Sequence, residues 1–396
     1  MQLQVEDDLI LSCIKINSNP TELEQINNLI PLILDWDYLI TTIIDRGIGP
    51  LFYKKVSLLT NSSLIPQTVK SKLQQVYYKT FSRSTILYDH FRKIADAFVS
   101  HNIPVITLKG IYLSEWLYQD IGLRQFSDID LLVKEGDGEK CLKILSNLGY
   151  KPSEISLSDL VLSNFELIHY PAMILDGVSV EIHIKLHSDT EKYNLLVPDL
   201  WKNAVPTTIN GINVFTLNTY DLLIHLCLHL DKHFQTGHVQ FTCFNDITNL
   251  LERVSETLNW TKFTESCKLY KCEEIVFKYI VMTHNYMQAT VPAVIVQKYS
   301  LLLTEEDEFL FINYLKSITV DTKIKRSLHF DYLKNNKKNS DKIKYILGVL
   351  FPSRAFMIQK YKIKKHSFTF LYYPYRYYIG LLGIINSMFG KDSSSR

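Results

Sequence analysis

The spacing of apolar and polar residues predicts helical regions on both sides of a segment in which strands and helices alternate. Helical spacing recurs between residues 1 and 95, most clearly over 23–30 and 69–98. From 96 to 217, short apolar runs of strand length alternate with helical segments. Helical spacing returns over 218–320, with Asn218 or Thr219 as the expected N-cap. The remainder, 321–396, is basic and then aromatic. The pattern predicts an α+β protein with these four regions.

One strand of the central region carries two carboxylates on the same face. Side chains alternate along a strand, so within 126–133 Asp128 and Asp130 point the same way, while the apolar residues between them face a core. Two neighbouring carboxylates repel each other, and a hard cation such as Mg²⁺ removes that cost. The alternative is an edge strand with a solvated acidic face.

A turn that is suited to phosphate lies upstream of this strand. The apolar run 103–108 reads as a strand, Lys109 and Gly110 follow, and 111–118 reads as a helix. The start of a helix after a strand presents backbone N–H groups to an anion, glycine lets the backbone approach closely, and Lys109 adds a positive charge. An ordinary strand-to-helix turn has the same appearance.

A third carboxylate is predicted on a neighbouring strand. Asp176-Gly177 is a hairpin signal, and the run that follows, 178–185, has Glu181 and His183 on its polar face. Three carboxylates beside a phosphate-binding turn would suit two-metal phosphoryl chemistry. A second hairpin is predicted at Asn210-Gly211.

Taken together, these motifs resemble a bacterial family of uncharacterised nucleotidyltransferases, in the superfamily of the DNA polymerase β type. The resemblance extends roughly from Trp36 to Leu382 and is densest between Leu108 and His183. It is carried by Leu108-Lys109-Gly110, Tyr118-Gln119-Asp120, Gly122-Leu123-Arg124, Ser127 to Val133, Leu148-Gly149-Tyr150, Val180 to His183, Leu228-His229, His233, Asp246 and Leu350 to Ser353.

The resemblance implies a small mixed sheet flanked by helices and an enzyme that moves NMP from an NTP, with ATP as the expected donor and Mg²⁺ or Mn²⁺ as cofactor. Asp128, Asp130 and Glu181 would be the catalytic and metal-binding residues. The nucleotide-binding residues would be Lys109, Gly110, Arg124, Ser127, His183, His229, His233 and Asp246. Two features depart from the superfamily: Ile111 replaces the usual serine after the glycine, and Glu181 stands where Asp is more common.

Three histidines form a second candidate site on a predicted helix. His225, His229 and His233 are spaced four residues apart and share one helix face. The outer two would lie about 12 Å apart along a straight helix, too far for one metal ion. A pair could share zinc, or the histidines could hydrogen-bond at a helix seam. The resemblance instead favours a cleft lining of His229 and His233, with Asp246 orienting an imidazole.

Charge is distributed unevenly along the chain. Of 43 Lys+Arg and 41 Asp+Glu, residues 323–365 hold 13 and 2, so this segment has a net charge of +11 and the rest −9. Such a segment indicates contact with nucleic acid or an anionic membrane surface, or a solvated loop before a docked C-terminal helix. The tyrosine-rich stretch 368–389 has no acidic residue and is compatible with an interfacial helix.

The remaining composition predicts a cytoplasmic protein. The acidic N-terminus lacks the basic start of a signal peptide, no apolar run reaches about 18 residues, and the six cysteines show no CxxC pair.

Three functions remain open on the sequence. The first is the nucleotidyltransferase, whose acceptor is expected to be a peptide natural product or a small molecule, with RNA or protein as alternatives. The second is a metal-dependent glycosyltransferase that uses the DxD motif. The third is a catalytically inactive module that binds a peptide or RNA.

Overall fold

The computed structural model describes residues 3–153, 168–187, 193–236 and 241–316, together with part of the segment between 342 and 379. The N-terminal region is helical, as predicted. Asn19 caps the second helix, because its side chain accepts a hydrogen bond from the Glu22 backbone N–H and the Glu22 carboxylate bonds back. The helices are α1 (Val5–Ser12), α2 (Pro20–Leu29), α3 (Trp36–Asp45), α4 (Gly49–Val56) and α5 (Gln67–Ser100).

A seven-stranded mixed sheet forms the centre of the described molecule, which confirms the predicted α+β class. Its order is β3-β4-β5-β2-β1-β7-β6. The two central pairs differ in direction, since β2 is parallel to β5 but antiparallel to β1. The strands are β1 (Ile106–Thr107), β2 (Asp128–Leu132), β3 (Lys151–Pro152), β4 (Met173–Leu175), β5 (Val178–His183), β6 (Val205–Ile209) and β7 (Ile212–Thr216).

Both predicted hairpins are present. Asp176 and Gly177 have φ of 50° and 75°, and Asn210 and Gly211 have φ of 48° and 79°. Positive φ at both central residues is the geometry of a type I′ turn, whose twist matches that of the strands it joins. The first hairpin connects β4 to β5, and the second connects β6 to β7.

The strand predicted over 103–108 is shorter than expected. Only Ile106 and Thr107 belong to β1, since Pro104 has no N–H to donate and the next helix already begins at Lys109. The helices that follow strands within the central region are α6 (Lys109–Trp116), α7 (Gly138–Asn147) and α8 (Val197–Asn203).

The helical region after the sheet also appears as predicted. Asn218 is the N-cap, because its Oδ1 accepts from the backbone N–H groups of Tyr220 at 2.9 Å and Asp221 at 3.1 Å. Within the described residues, no helix is both long and apolar enough to cross a bilayer. The helices are α9 (Thr219–Thr236), α10 (Thr242–Val254), α11 (Trp260–Leu269), α12 (Glu273–Met287), α13 (Ala293–Tyr299) and α14 (Glu305–Leu315).

Candidate active site

The parallel pairing of β2 with β5 brings the acidic residues together. Asp130 lies directly opposite Glu181, and Leu132 lies opposite His183. Because side chains alternate along both strands, Asp128, Asp130, Glu181 and His183 project from the same face of the sheet. The apolar residues between them, Ile129 and Ile182 among others, are buried in the core on the opposite face.

Three of these side chains form a tight group. His183 Nε2 lies 3.0 Å from Asp130 Oδ1 and 3.6 Å from Glu181 Oε2. The ligand atoms of Asp130, Glu181 and His183 all lie within 4.8 Å of one another, so these three could hold a metal ion. Asp128 lies outside this group and is half-buried. The structure therefore joins two of the predicted metal-binding carboxylates to His183, for which a nucleotide-binding role was predicted.

Lys109 connects this group to α9, in the third region. Its Nζ lies 3.4 Å from Asp130 Oδ2 and 2.8 Å from His229 Nε2. Lys109 is also the first residue of α6 and has φ of 30°, a left-handed conformation that a non-glycine residue rarely adopts. The strained backbone thus places the ammonium group between the acidic residues of the sheet and the histidines of α9.

The charges in the group compensate one another. Burial and the neighbouring Asp130 raise the pKa of Asp128 to about 6. Burial also acts to raise the pKa of Asp130, but Lys109 and His183 outweigh it and hold that pKa well below its usual value. Burial lowers the pKa of His183, while the hydrogen bonds to Asp130 and Glu181 raise it more. The acidic face therefore attracts positive charge, which Lys109 and His183 partly provide.

The Phe126 ring, which precedes β2, leaves room only for glycine at position 110. A Cβ at this position would lie 2.7 Å from Cδ2 of Phe126. The close approach that the sequence predicted at Gly110 is therefore an approach to the Phe126 ring.

The three histidines of α9 lie in a row whose middle member, His229, contacts Lys109. The rings of His229 and His233 are 4.5 Å apart and their Nε2 atoms 3.2 Å apart, while His225 and His229 are 6.1 Å apart. His225 is buried, and neither of its ring nitrogens has a hydrogen-bond partner among the described residues. In the part of the chain that is described, no metal-binding group includes these histidines. Among the described residues, the row meets the Lys109 turn through His229.

A family described as "Uncharacterised nucleotidyltransferase" matches residues 34–288, more than half of the chain. The chain belongs to this nucleotidyltransferase family. The match includes every candidate site residue from Lys109 to Asp246.

No curated protein matches the chain. Among solved structures, the antibiotic-resistance factor ANT(2'')-Ia is similar at 11% identity and a TM-score of 0.34, over 52% of this chain and 99% of that chain. A likeness this distant assigns no role to any residue.

Arg124 and Asp246 of the nucleotidyltransferase form a buried ion pair with each other. Arg124 Nε donates to Asp246 Oδ1 at 2.9 Å and Nη2 donates to Oδ2 at 2.7 Å, while the Tyr118 hydroxyl also donates to Oδ1. The sequence led us to expect that Asp246 orients a histidine, whereas the hydrogen bonds that its carboxylate accepts in the described structure come from Arg124 and Tyr118. This bidentate pair ties α10 to the segment before β2.

Ser127 has a different position from the other predicted residues. Its side chain is exposed, and its carbonyl accepts a hydrogen bond from Arg83 Nη2 at 3.0 Å. The same Nη2 donates to the Gly177 carbonyl at 2.9 Å. Arg83 therefore joins α5 to the start of β2 and to the hairpin before β5, a role that no sequence pattern indicated.

His169 is a site residue that sequence reasoning missed. It forms an isolated bridge with His183, their rings are 5.1 Å apart, and its Nδ1 lies 3.9 Å from Glu181 Oε2. The side chain is 43% exposed, so it lies at the open side of the acidic group. Only the pairing of its backbone with β5 brings His169 to the site, and no local motif could have revealed that.

Proposed function

We propose that the protein transfers NMP from an NTP, with ATP as the expected donor, to a hydroxyl or phosphate acceptor, and that the reaction needs Mg²⁺ or Mn²⁺. The observation that carries this proposal is the group of Asp130, Glu181 and His183 beside Lys109. It combines carboxylates that suit a hard cation with an ammonium group that suits phosphate.

The donor set fits a divalent cation. Asp130 and Glu181 offer carboxylate oxygens, and Asp128 lies two residues from Asp130 on the same strand face. The raised pKa of Asp128 reflects burial and repulsion by Asp130, both of which a cation would relieve. When bound, the metal neutralises charge on the phosphates and on the group being transferred. We assign the metal to Asp128, Asp130 and Glu181.

The other site residues are assigned roles by their contacts. Lys109 and the N-terminus of α6, where Gly110 lies, would bind the triphosphate. The Lys109 ammonium carries a full positive charge, and the helix N-terminus next to it carries a partial one. His183 would hold the Asp130 and Glu181 carboxylates in position through its contacts with both. His229 would direct the Lys109 ammonium.

Nucleotidyl transfer then follows as one displacement. The acceptor oxygen forms a bond to the α-phosphorus, the bond from that phosphorus to the bridging oxygen breaks, and pyrophosphate leaves. The acceptor loses its proton, which we assign to Glu181, since its carboxylate is 27% exposed and lies at the open side of the group. Membership of a nucleotidyltransferase family favours this reaction over sugar transfer.

The remaining assignments are also proposals. We propose a cytoplasmic enzyme in which 96–217 is the catalytic core, 218–320 closes the cleft, and 1–95 and 321–396 are helical additions. A peptide or small-molecule acceptor is preferred over RNA or protein, and Ser127, His233 and the Arg124–Asp246 pair would lie around the nucleotide.

The proposal is tested by calorimetry with non-hydrolysable NTP analogues, with and without Mg²⁺. We expect wild type to bind one or more analogues only with Mg²⁺, and Asp130→Asn to lose at least about tenfold in affinity, since the neutral amide leaves the cation unpaired. Asp89→Asn is the matched control, because Asp89 is an exposed α5 carboxylate that pairs with Lys93.

Two results would contradict the proposal. One is equal binding by wild type and Asp130→Asn. The other is the absence of Mg²⁺-dependent binding for every nucleotide in a well-folded wild type, which would favour the catalytically inactive binding module.

A further inference from the structure

A first apolar stripe on the C-terminal segment faces solvent. Ile343, Leu347, Leu350 and Phe351 are 59%, 43%, 42% and 58% exposed. Ile343, Leu347 and Leu350 are helical, and the Phe351 backbone N–H bonds to the Leu347 carbonyl at 2.8 Å. These residues recur at i, i+4, i+7 and i+8, the spacing of a single helix face. Helices of globular proteins normally turn such a face toward the core.

A second stripe repeats the same arrangement. Residues 372–379 are helical, and Leu371, Tyr375, Tyr378 and Ile379 are 55%, 51%, 60% and 45% exposed. They too recur at i, i+4, i+7 and i+8. This helix also presents its apolar side outward.

The two stripes belong to one packed unit. The Tyr377 hydroxyl donates to the Leu350 carbonyl at 2.8 Å, and the Tyr373 hydroxyl donates to the Pro352 carbonyl at 2.8 Å. The rings of Phe351 and Tyr377 are 6.3 Å apart, edge to face. The segments are therefore held together while their apolar residues stay in solvent. We call the two stripes together the C-terminal apolar face.

An exposed apolar surface of this kind marks an interaction site. We propose that the C-terminal apolar face docks on the surface of an anionic lipid bilayer. The surrounding sequence matches that partner, since residues 323–365 have a net charge of +11 while the rest of the chain has −9. Basic residues attract anionic headgroups, and tyrosine rings suit the boundary between headgroups and acyl chains.

Two other partners fit the same observations less well. Nucleic acid would use the positive charge and the aromatic rings, but the exposed aliphatic side chains of Ile343, Leu347 and Leu350 would gain nothing from stacking with bases. A second copy of this chain would bring a second segment of +11 against the first, and like charges repel.

The test is co-sedimentation of the full-length protein with lipid vesicles. We expect binding to phosphatidylcholine vesicles that contain about a third phosphatidylglycerol, weaker binding to phosphatidylcholine alone, and weakening by salt. The triple variant Leu371→Glu, Tyr375→Glu and Ile379→Glu should bind anionic vesicles at least about tenfold less well, because three apolar contacts are lost.

A charge-matched variant controls for the three added negative charges. Leu269→Glu, Val294→Glu and Leu301→Glu changes apolar residues that are 69%, 70% and 94% exposed elsewhere on the molecule. We expect it to bind vesicles much better than the C-terminal variant. Thermal unfolding should be the same in both, since all six residues are exposed.

Several outcomes would overturn the inference. They are no binding to anionic vesicles by wild type, and an equal loss in both triple variants. Binding of a single-stranded RNA oligonucleotide that the C-terminal variant alone loses, without vesicle binding, would assign the face to nucleic acid. Wild-type dimerisation in ultracentrifugation that the same variant abolishes, again without vesicle binding, would assign it to self-association. None of these outcomes depends on nucleotide binding, so the inference is tested separately from the proposed reaction.

Discussion

At the scale of single residues, Gly110 occupies a position that has no room for a side chain. Elsewhere in a helix, replacing glycine by alanine stabilises by up to about 1 kcal/mol. At Gly110 the added methyl would lie 2.7 Å from the Phe126 ring. Packing and helix propensity therefore act in opposite directions at this residue.

We expect Gly110→Ala to lower the free energy of unfolding by about 1–3 kcal/mol, as overpacking does. In a Phe126→Ala background the same substitution should be neutral or stabilising, because the ring is gone. Urea denaturation of the four proteins of this double-mutant cycle measures the coupling. An equal loss in both backgrounds would show that Phe126 is not the cause.

The residue scale also shows how far local patterns specify the site. Alternation along each strand predicts that Asp128 and Asp130 point to the same side of β2, and that Glu181 and His183 point to the same side of β5. It does not predict that Asp130 stands opposite Glu181, because register is fixed by the whole sheet. Arg124 and Asp246 are far apart in sequence, so their ion pair was not predictable from spacing.

At the scale of elements, the hairpin before β5 sets the position of Glu181 and His183. Its turn residue Gly177 has φ of 75°, and no described heavy atom lies within 4 Å of the position that a Cβ would occupy there. A side chain added at this residue would therefore cause backbone strain but no steric clash. Gly136 has the same open surroundings without the positive φ. The two glycines are alike in the open space around a Cβ and differ in backbone conformation.

We predict that Gly177→Ala lowers the free energy of unfolding by about 1–2 kcal/mol, the usual cost of a left-handed conformation. Gly136→Ala should change it by less than about 0.5 kcal/mol, as surface substitutions usually do. Urea denaturation followed by circular dichroism compares the two. Similar effects at both positions would mean that the turn conformation does not determine the stability of this hairpin.

At the scale of the whole molecule, one buried asparagine connects the N-terminal helices to the third region. Asn249 Oδ1 accepts from the Ile16 backbone N–H at 2.7 Å, and its Nδ2 donates to the Ile14 carbonyl at 3.1 Å. Both bonds join the segment after α1 to α10. The N-terminal region is thus attached by backbone groups as well as by apolar packing.

Asn249→Ala should lower the free energy of unfolding by about 2 kcal/mol or more, because two backbone groups lose their partner at a buried site. Asn313→Ala is the control, since Asn313 is equally buried but bonds to Phe309 within its own helix. We expect a smaller loss there, measured by the same urea denaturation. If Asn313→Ala lowers the free energy of unfolding by as much as Asn249→Ala, the hydrogen bonds from Asn249 to Ile14 and Ile16 add no stability of their own.

The sequence by itself determined the α+β class and both hairpins, and it limited the cap of α9 to Asn218 or Thr219. These depend on local periodicity and turn chemistry, which short stretches of chain contain. Tertiary structure alone decided that Asp130 meets Glu181, Lys109 and His183, that His169 joins them, and that Arg124 is held by Asp246. It also decided that described apolar residues of the C-terminal segment are exposed. Those contacts depend on strand register and on the packing of distant segments, which no local pattern contains.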